Sequence, residues 1–131
     1  MVLAMLAFVV PVVAPVAVSG ATRTERVTLP KDQSPKTIKG TLKGTATVNY
    51  VVAAQAGQTM TVVLATSNPS NYFNVTAPGT KEAMYVGSVL GNEFGAKLPL
   101  GGDYVLQVYL AADAAKKNET ASYTLTIEMK P

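Results

Sequence analysis

The feature that most constrains this chain is the two-residue alternation of apolar side chains near its C-terminal end. In Asp103 to Leu110 the residues Tyr104, Leu106, Val108 and Leu110 fall on one face, and in Ser122 to Met129 so do Tyr123, Leu125, Ile127 and Met129. Side chains of an extended strand point alternately to opposite sides, whereas a helix would scatter these residues around its axis. Each stretch therefore reads as a strand with one buried face. Between them lies Ala111 to Thr120, a polar, basic segment whose alanine-rich part, Ala111 to Lys117, has room for a single helical turn. Two strands of this kind are expected to hold the segment out as a finger. A loop fixed at both ends loses less entropy on meeting a partner than a free one, so Lys116, Lys117 and Asn118 are candidate contact residues, beside the plainer reading of a solvated hairpin end.

The same alternation, apolar against Thr, Asn and Gln, runs through most of residues 22–131, with Gly or Pro about every ten residues. It predicts strands near Arg26 to Leu29, Thr37 to Leu42, Thr47 to Ala54, Thr59 to Thr66, Tyr72 to Thr76, Ala83 to Val86, Glu93 to Leu98, Asp103 to Leu110 and Ser122 to Met129. Ala56-Gly57-Gln58 reads as the turn of a hairpin joining the strand of Val48, Tyr50 and Val52 to that of Met60, Val62 and Leu64. The class is all-β. A single antiparallel β-sandwich of about eight strands, with Greek-key or jelly-roll connections, buries both inner faces; a small closed barrel is the alternative.

Val2 to Val18 is apolar and uncharged, and Ser19 and Ala21 follow as the small residues of a cleavage site, so residues 1–21 read as an export signal peptide, although no Lys or Arg precedes them. Pro11 and Pro15 and the short length argue against a stable membrane span, leaving membrane contact only for an uncleaved signal. Residues 22–131 suffice for one domain with one core. Cysteine is absent, so the exported domain has no disulfide and no lipid-modified cysteine, and packing alone must stabilise it. The net charge of +3 is too small to point to nucleic acid.

Histidine is absent too, which removes the usual general base at neutral pH and, with cysteine, the commonest zinc and copper ligands. Carboxylates can hydrolyse glycosides only as a pair held across a cleft, and nothing in the spacing of Glu82, Glu93, Asp103, Asp113 and Glu119 forces two together. Ser34 and Lys36 flank Pro35 beside Asp32, which reads as a turn rather than a Ser-Lys dyad. The expectation is a noncatalytic protein without metal or cofactor. Ala65 to Pro78 is a second segment of interest, because Asn68, Ser70, Asn71 and Tyr72 suit protein or sugar contacts and equally suit a turn entering a strand.

Taken in order, GTLKGTATVNYVVAAQAGQTMTVVL, NYFNVTAPG, LPLGGDYVLQVYL, the basic loop with Lys116-Lys117-Asn118, and TASYTLTI resemble the periplasmic inhibitors of g-type lysozyme, over most of residues 22–131. A more distant resemblance is to the pre-peptidase C-terminal domains. The first implies an antiparallel β-sandwich, a periplasmic or secreted location in the bacterial envelope, and a protein–protein interaction in which surface loops plug the cleft of a lysozyme and a cation meets its catalytic carboxylate. In the family that loop is patterned Arg-Asn-x-Ala-Arg-Lys/Arg-Asn; here it is Ala112-Asp113-Ala114-Ala115-Lys116-Lys117-Asn118, with Ala112 and Lys116 at the arginine positions and Thr45 where a tyrosine is expected. The implied partner-binding residues are Ala112, Asp113, Lys116, Lys117 and Asn118, assisted by Thr45 and Tyr72. A g-type lysozyme is the implied partner, and peptidoglycan or another envelope protein, bound by a noncatalytic sandwich module, is the alternative.

Overall fold

A computed structural model describes residues 20–131; the expected signal peptide lies outside them except for its last two residues. The described residues form nine strands and two short helices: β1 (Thr22–Val27), β2 (Lys36–Lys43), β3 (Thr47–Ala54), β4 (Thr59–Thr66), β5 (Asn71–Thr76), β6 (Ala83–Val86), α1 (Gly87–Leu90), β7 (Glu93–Lys97), β8 (Gly102–Leu110), α2 (Ala112–Lys116) and β9 (Thr120–Lys130). One sheet has the order β1-β3-β8-β5-β6 and the other β2-β9-β4-β7, so the strands build two open sheets and not a barrel. Pairing is antiparallel except between β1 and β3, which run parallel. The expectation of antiparallel pairing throughout is corrected at that edge.

Both sheets turn their apolar rows to one shared core, which includes Tyr50, Val52, Phe73, Leu106 and Val108 from the five-stranded sheet and Leu42, Met60, Val62, Leu125 and Ile127 from the other. Burial drives the stacking, because each fully buried aliphatic or aromatic side chain contributes about 1.5 to 3 kcal/mol. The hydroxyls of Tyr50 and Tyr123 meet across the core at 2.5 Å, so each phenol finds a partner where water is excluded. Burial pushes both phenols above their ordinary value of 10.0. Tyr123 also covers Gly40, its cross-strand neighbour; a Cβ at Gly40 would lie 2.4 Å from the Tyr123 hydroxyl oxygen.

The hairpin expected at Ala56-Gly57-Gln58 is not one. β3 lies in the five-stranded sheet and β4 in the four-stranded sheet, so this turn is an arch from one sheet to the other. It is pinned to the segment before β8 by Gly57 N–H to the Leu98 carbonyl and Leu98 N–H to the Gln58 carbonyl, both 2.7 Å. Among the described strands, only β5 and β6 are consecutive and paired. Alternation records which residues face inward, and two strands that face the core from opposite sides carry the same pattern as two that share a sheet.

The finger is corrected in the same way. β8 and β9 belong to different sheets, and Ala111 to Glu119 crosses between them. The first strand also differs, occupying Thr22–Val27 rather than Arg26 to Leu29, because an edge strand with one buried residue, Val27, carries little apolar signal. The Asp32–Ser34 segment is the turn expected: Asp32 Oδ1 accepts from the Ser34 amide at 3.0 Å and its hydroxyl at 2.6 Å.

Candidate functional site

The outward face of the five-stranded sheet carries a row in register, one residue per strand, polar at Thr24, Asn49, Gln107 and Asn74 and ending in Val86 on the edge strand. Gln107 Nε2 donates to Asn49 Oδ1 at 3.0 Å, and the Tyr109 hydroxyl donates to Asn74 Oδ1 at 2.9 Å. This face forms the floor of a groove of about 430 Å³, with Thr45, Thr47, Asn74, Gln107, Tyr109 and Ala115 in its lining. Its walls include the β2–β3 turn through Thr45, α2 through Ala115 and α1 through Ser88, and no charged residue lines it.

α2 is short, and its ends are fixed by other means than length. Ala114 is its buried residue, anchoring the turn to the core. At the C-terminal end, Asn118 adopts φ 57°, its N–H bonds to the Ala115 carbonyl at 3.0 Å, and the Glu119 N–H bonds to the Ala114 carbonyl at 3.0 Å. That pair of bonds is a Schellman cap, and Asn tolerates the left-handed backbone it needs. Lys116 and Lys117 are exposed, on the last residue of the helix and its C-cap. Ala112 and Asp113 are exposed in the first turn, where an acidic side chain suits the N–H groups of the helix start.

Three tethers hold this crossing in place. The Ala111 N–H bonds to the Ser70 carbonyl at 2.8 Å, the Gly44 N–H bonds to the Glu119 carbonyl at 2.8 Å, and Asn68 Nδ2 donates to Glu119 Oε1 at 2.9 Å. The Gly44 bond brings the turn carrying exposed Thr45 beside the end of α2. Tyr72 stands on the outward face of β5 opposite Tyr109, with ring centroids 6.3 Å apart. Of the expected site residues, Thr45 lines the groove; Ala112, Asp113, Lys116, Lys117 and Asn118 belong to α2 or its C-terminal end, which reaches the groove through Ala115, and Tyr72 lies beside the lining residue Tyr109.

Asn68 and Asn71 have structural roles. Asn68 is 8% exposed and also accepts from the Ser70 amide at 2.9 Å, while fully buried Asn71 donates to the Tyr109 carbonyl at 2.9 Å. Two of the carboxylates are likewise engaged, Glu119 with Asn68 and Asp103 with Arg26. Asp103 receives both guanidinium Nη atoms of Arg26, at 3.2 and 2.7 Å, and this pairing lowers its pKa below the ordinary 3.8. Among the described residues there is no group of three or more His, Cys, Asp and Glu placed to hold a metal.

One element escaped the sequence reading. α1 follows the edge strand β6 and presents Val89 and Leu90, 78% and 65% exposed, with Met84 of β6 exposed nearby in the chain. The sequence signal was present, two large apolar residues before a Gly-Asn turn, but four residues are too few to show a helical period.

These features define a class: a two-sheet β domain whose inter-sheet connections are held by hydrogen bonds to neighbouring turns. No family model matches the chain, and no curated protein does. Solved structures do. The periplasmic lysozyme inhibitor of g-type lysozyme, PliG, from Aeromonas hydrophila is 30% identical, with a TM-score of 0.75 over 84% of this chain and 98% of that one. PliG from Salmonella Typhimurium is 25% identical, TM-score 0.65, over 82% of this chain and 98% of that one. A mutant of PliG from Escherichia coli is also 25% identical, TM-score 0.64, over 84% and 99%. The chain belongs to this PliG family of periplasmic lysozyme inhibitors, and its location is the periplasm.

Proposed function

We propose that this protein is a noncatalytic periplasmic inhibitor of g-type lysozyme that binds the enzyme through α2 and the neighbouring β2–β3 turn. The observation that carries the reading is the clamped α2 crossing, which presents Lys116 and Lys117 to solvent on a backbone tied at Ala111, Gly44 and Asn68. A cation on a rigid support suits an acidic substrate cleft, because little conformational entropy is lost on docking. Lys116 occupies an arginine position of the family pattern and supplies charge without the planar fork that binds a carboxylate at two points. Ala112 and Thr45 leave the neighbouring positions without a large side chain. The reading therefore predicts low-micromolar or tighter inhibition, weaker than a loop with both arginines would give.

The test is inhibition of a g-type lysozyme by the wild-type protein and by Lys116→Glu. Reversing this charge in an acidic cleft is expected to abolish inhibition at concentrations where the wild type is effective. Equal inhibition by the two proteins would remove α2 from the interface.

A further inference from the structure

We infer that α1 is a second contact of the inhibitor, an apolar knob that docks in an apolar depression beside the substrate cleft of a g-type lysozyme. The inference rests on the proposed inhibition and adds an interaction surface to it. Val89 and Leu90 stand out at 78% and 65% exposure, and the helix that carries them buries only Gly87. Two adjacent large apolar side chains left in water contribute little to the fold, and such exposure marks surfaces that become covered.

The knob is also held more firmly than a surface loop requires. The Gly91 N–H closes on the Gly87 carbonyl at 2.7 Å. The Tyr85 hydroxyl lies 2.5 Å from the Gly91 carbonyl and 2.8 Å from that of Glu93, with one proton to donate between them. Asn92 Nδ2 donates to the Asn71 carbonyl at 3.1 Å, and the Asn92 carbonyl accepts from the Leu64 N–H at 2.9 Å. At the start of the helix, the Gly87 N–H donates to Asn74 Oδ1 at 3.2 Å, and a Cβ on Gly87 would sit 2.3 Å from the Phe73 carbonyl oxygen, so no side chain fits there. A rigid apolar projection meets a partner with its ordering cost already met.

Its position fixes the kind of partner. Ser88 of α1 lines the same groove as Ala115 of α2 and Thr45 of the β2–β3 turn. The uncharged lining of that groove thus joins Ser88, the residue before the knob, to Ala115, the residue before Lys116. A protein whose acidic cleft receives α2 meets α1 at the rim of that cleft, and there the chemistry offered is apolar. The knob also supplies contact area that Ala112 and Thr45, with their small side chains, do not.

The experiment measures inhibition of a g-type lysozyme by the wild type and by Val89→Asp, Leu90→Asp and the double variant Val89→Ala/Leu90→Ala, with Val63→Asp, exposed on the other sheet, as the control. Thermal unfolding of each is followed in parallel. Expected is inhibition about 30-fold weaker for each knob variant, the scale of losing a buried anchor from an interface, with the control unchanged. The double alanine variant keeps the result decisive if an aspartate disturbs the helix. Wild type and folded knob variants inhibiting equally would overturn this inference and leave the proposed function standing. A wild type that inhibits no g-type lysozyme would overturn both.

Discussion

Replacing Asn68 by alanine tests whether the α2 crossing is held by its tethers or merely rests on the core. The Asn68 side-chain amide, in the turn between β4 and β5, makes three bonds: Nδ2 to Glu119 Oε1 at 2.9 Å, Nδ2 to the Thr120 carbonyl at 3.3 Å, and Oδ1 from the Ser70 N–H at 2.9 Å. Alanine removes all three. Glu119 is half-buried and recovers water, so most of its bond is recouped; the backbone groups of Ser70 and Thr120 lose a partner beside a residue only 8% exposed. With about 1 kcal/mol for each neutral bond and somewhat more for the charged one, the expected loss is about 2 to 3 kcal/mol. For a domain of this size that corresponds to a fall in Tm of roughly 10 °C. Urea unfolding gives the global value, and amide exchange at Asn118 and Glu119 reports the local loosening, which should exceed that in the β3–β8 ladder. Inhibition should weaken as well, because α2 must then be ordered on binding. An Asn68→Ala protein with a Tm within about 2 °C of wild type and unchanged exchange at Glu119 would refute the clamp.

Gly40→Ala should destabilise the domain by about 1 to 3 kcal/mol in urea unfolding, since its Cβ would displace the Tyr123 hydroxyl 2.4 Å away and break the contact with Tyr50. The folded-state phenol pKa values of Tyr50 and Tyr123 are raised by burial, so their contribution to stability is complete below pH 10.0 and is lost as pH rises through the folded values. Phenolate absorbance should therefore show part of the six tyrosines ionising late and together with alkaline unfolding; six independent titrations in a protein that stays folded would contradict this. At the acid end, the Arg26 guanidinium lowers the Asp103 pKa below 3.8, so the pair's small contribution is present above that value and lost as pH falls through the folded one. The stability difference between wild type and Asp103→Asn should thus shrink as the pH drops below about 4. A difference that persists at pH 2 would rule out the ion pair as its source.

The strands were legible because alternation survives wherever one face is buried. Thr47–Ala54, Thr59–Thr66 and Ala83–Val86 carry the same bounds in sequence and structure. The partition into sheets was not legible. Tyr50 and Met60 point into the same core from opposite sides, and the chain crosses from sheet to sheet at Gly57 with the same residues a hairpin uses. β1 was displaced because TRTERV buries little besides Val27, and edge pairing is written in backbone groups rather than side chains. Around α2, the helical turn and the exposure of the lysines were readable, whereas the tasks of the asparagines were not. Asn68 and Asn71 fold the turn and Asn118 caps α2, although Asn in a loop reads equally as contact or as turn chemistry.

The central claim is that the clamped basic turn makes this chain an inhibitor of one class of lysozyme. Its most direct test is an inhibition panel of c-, g- and i-type lysozymes with the wild-type protein and Lys116→Glu. The account predicts dose-dependent inhibition of the g-type enzyme, little effect on the other two, and loss of inhibition in Lys116→Glu. No inhibition of any g-type enzyme at high protein concentration, or retention of the protein on peptidoglycan with no enzyme present, would contradict it and favour an envelope module that binds glycan.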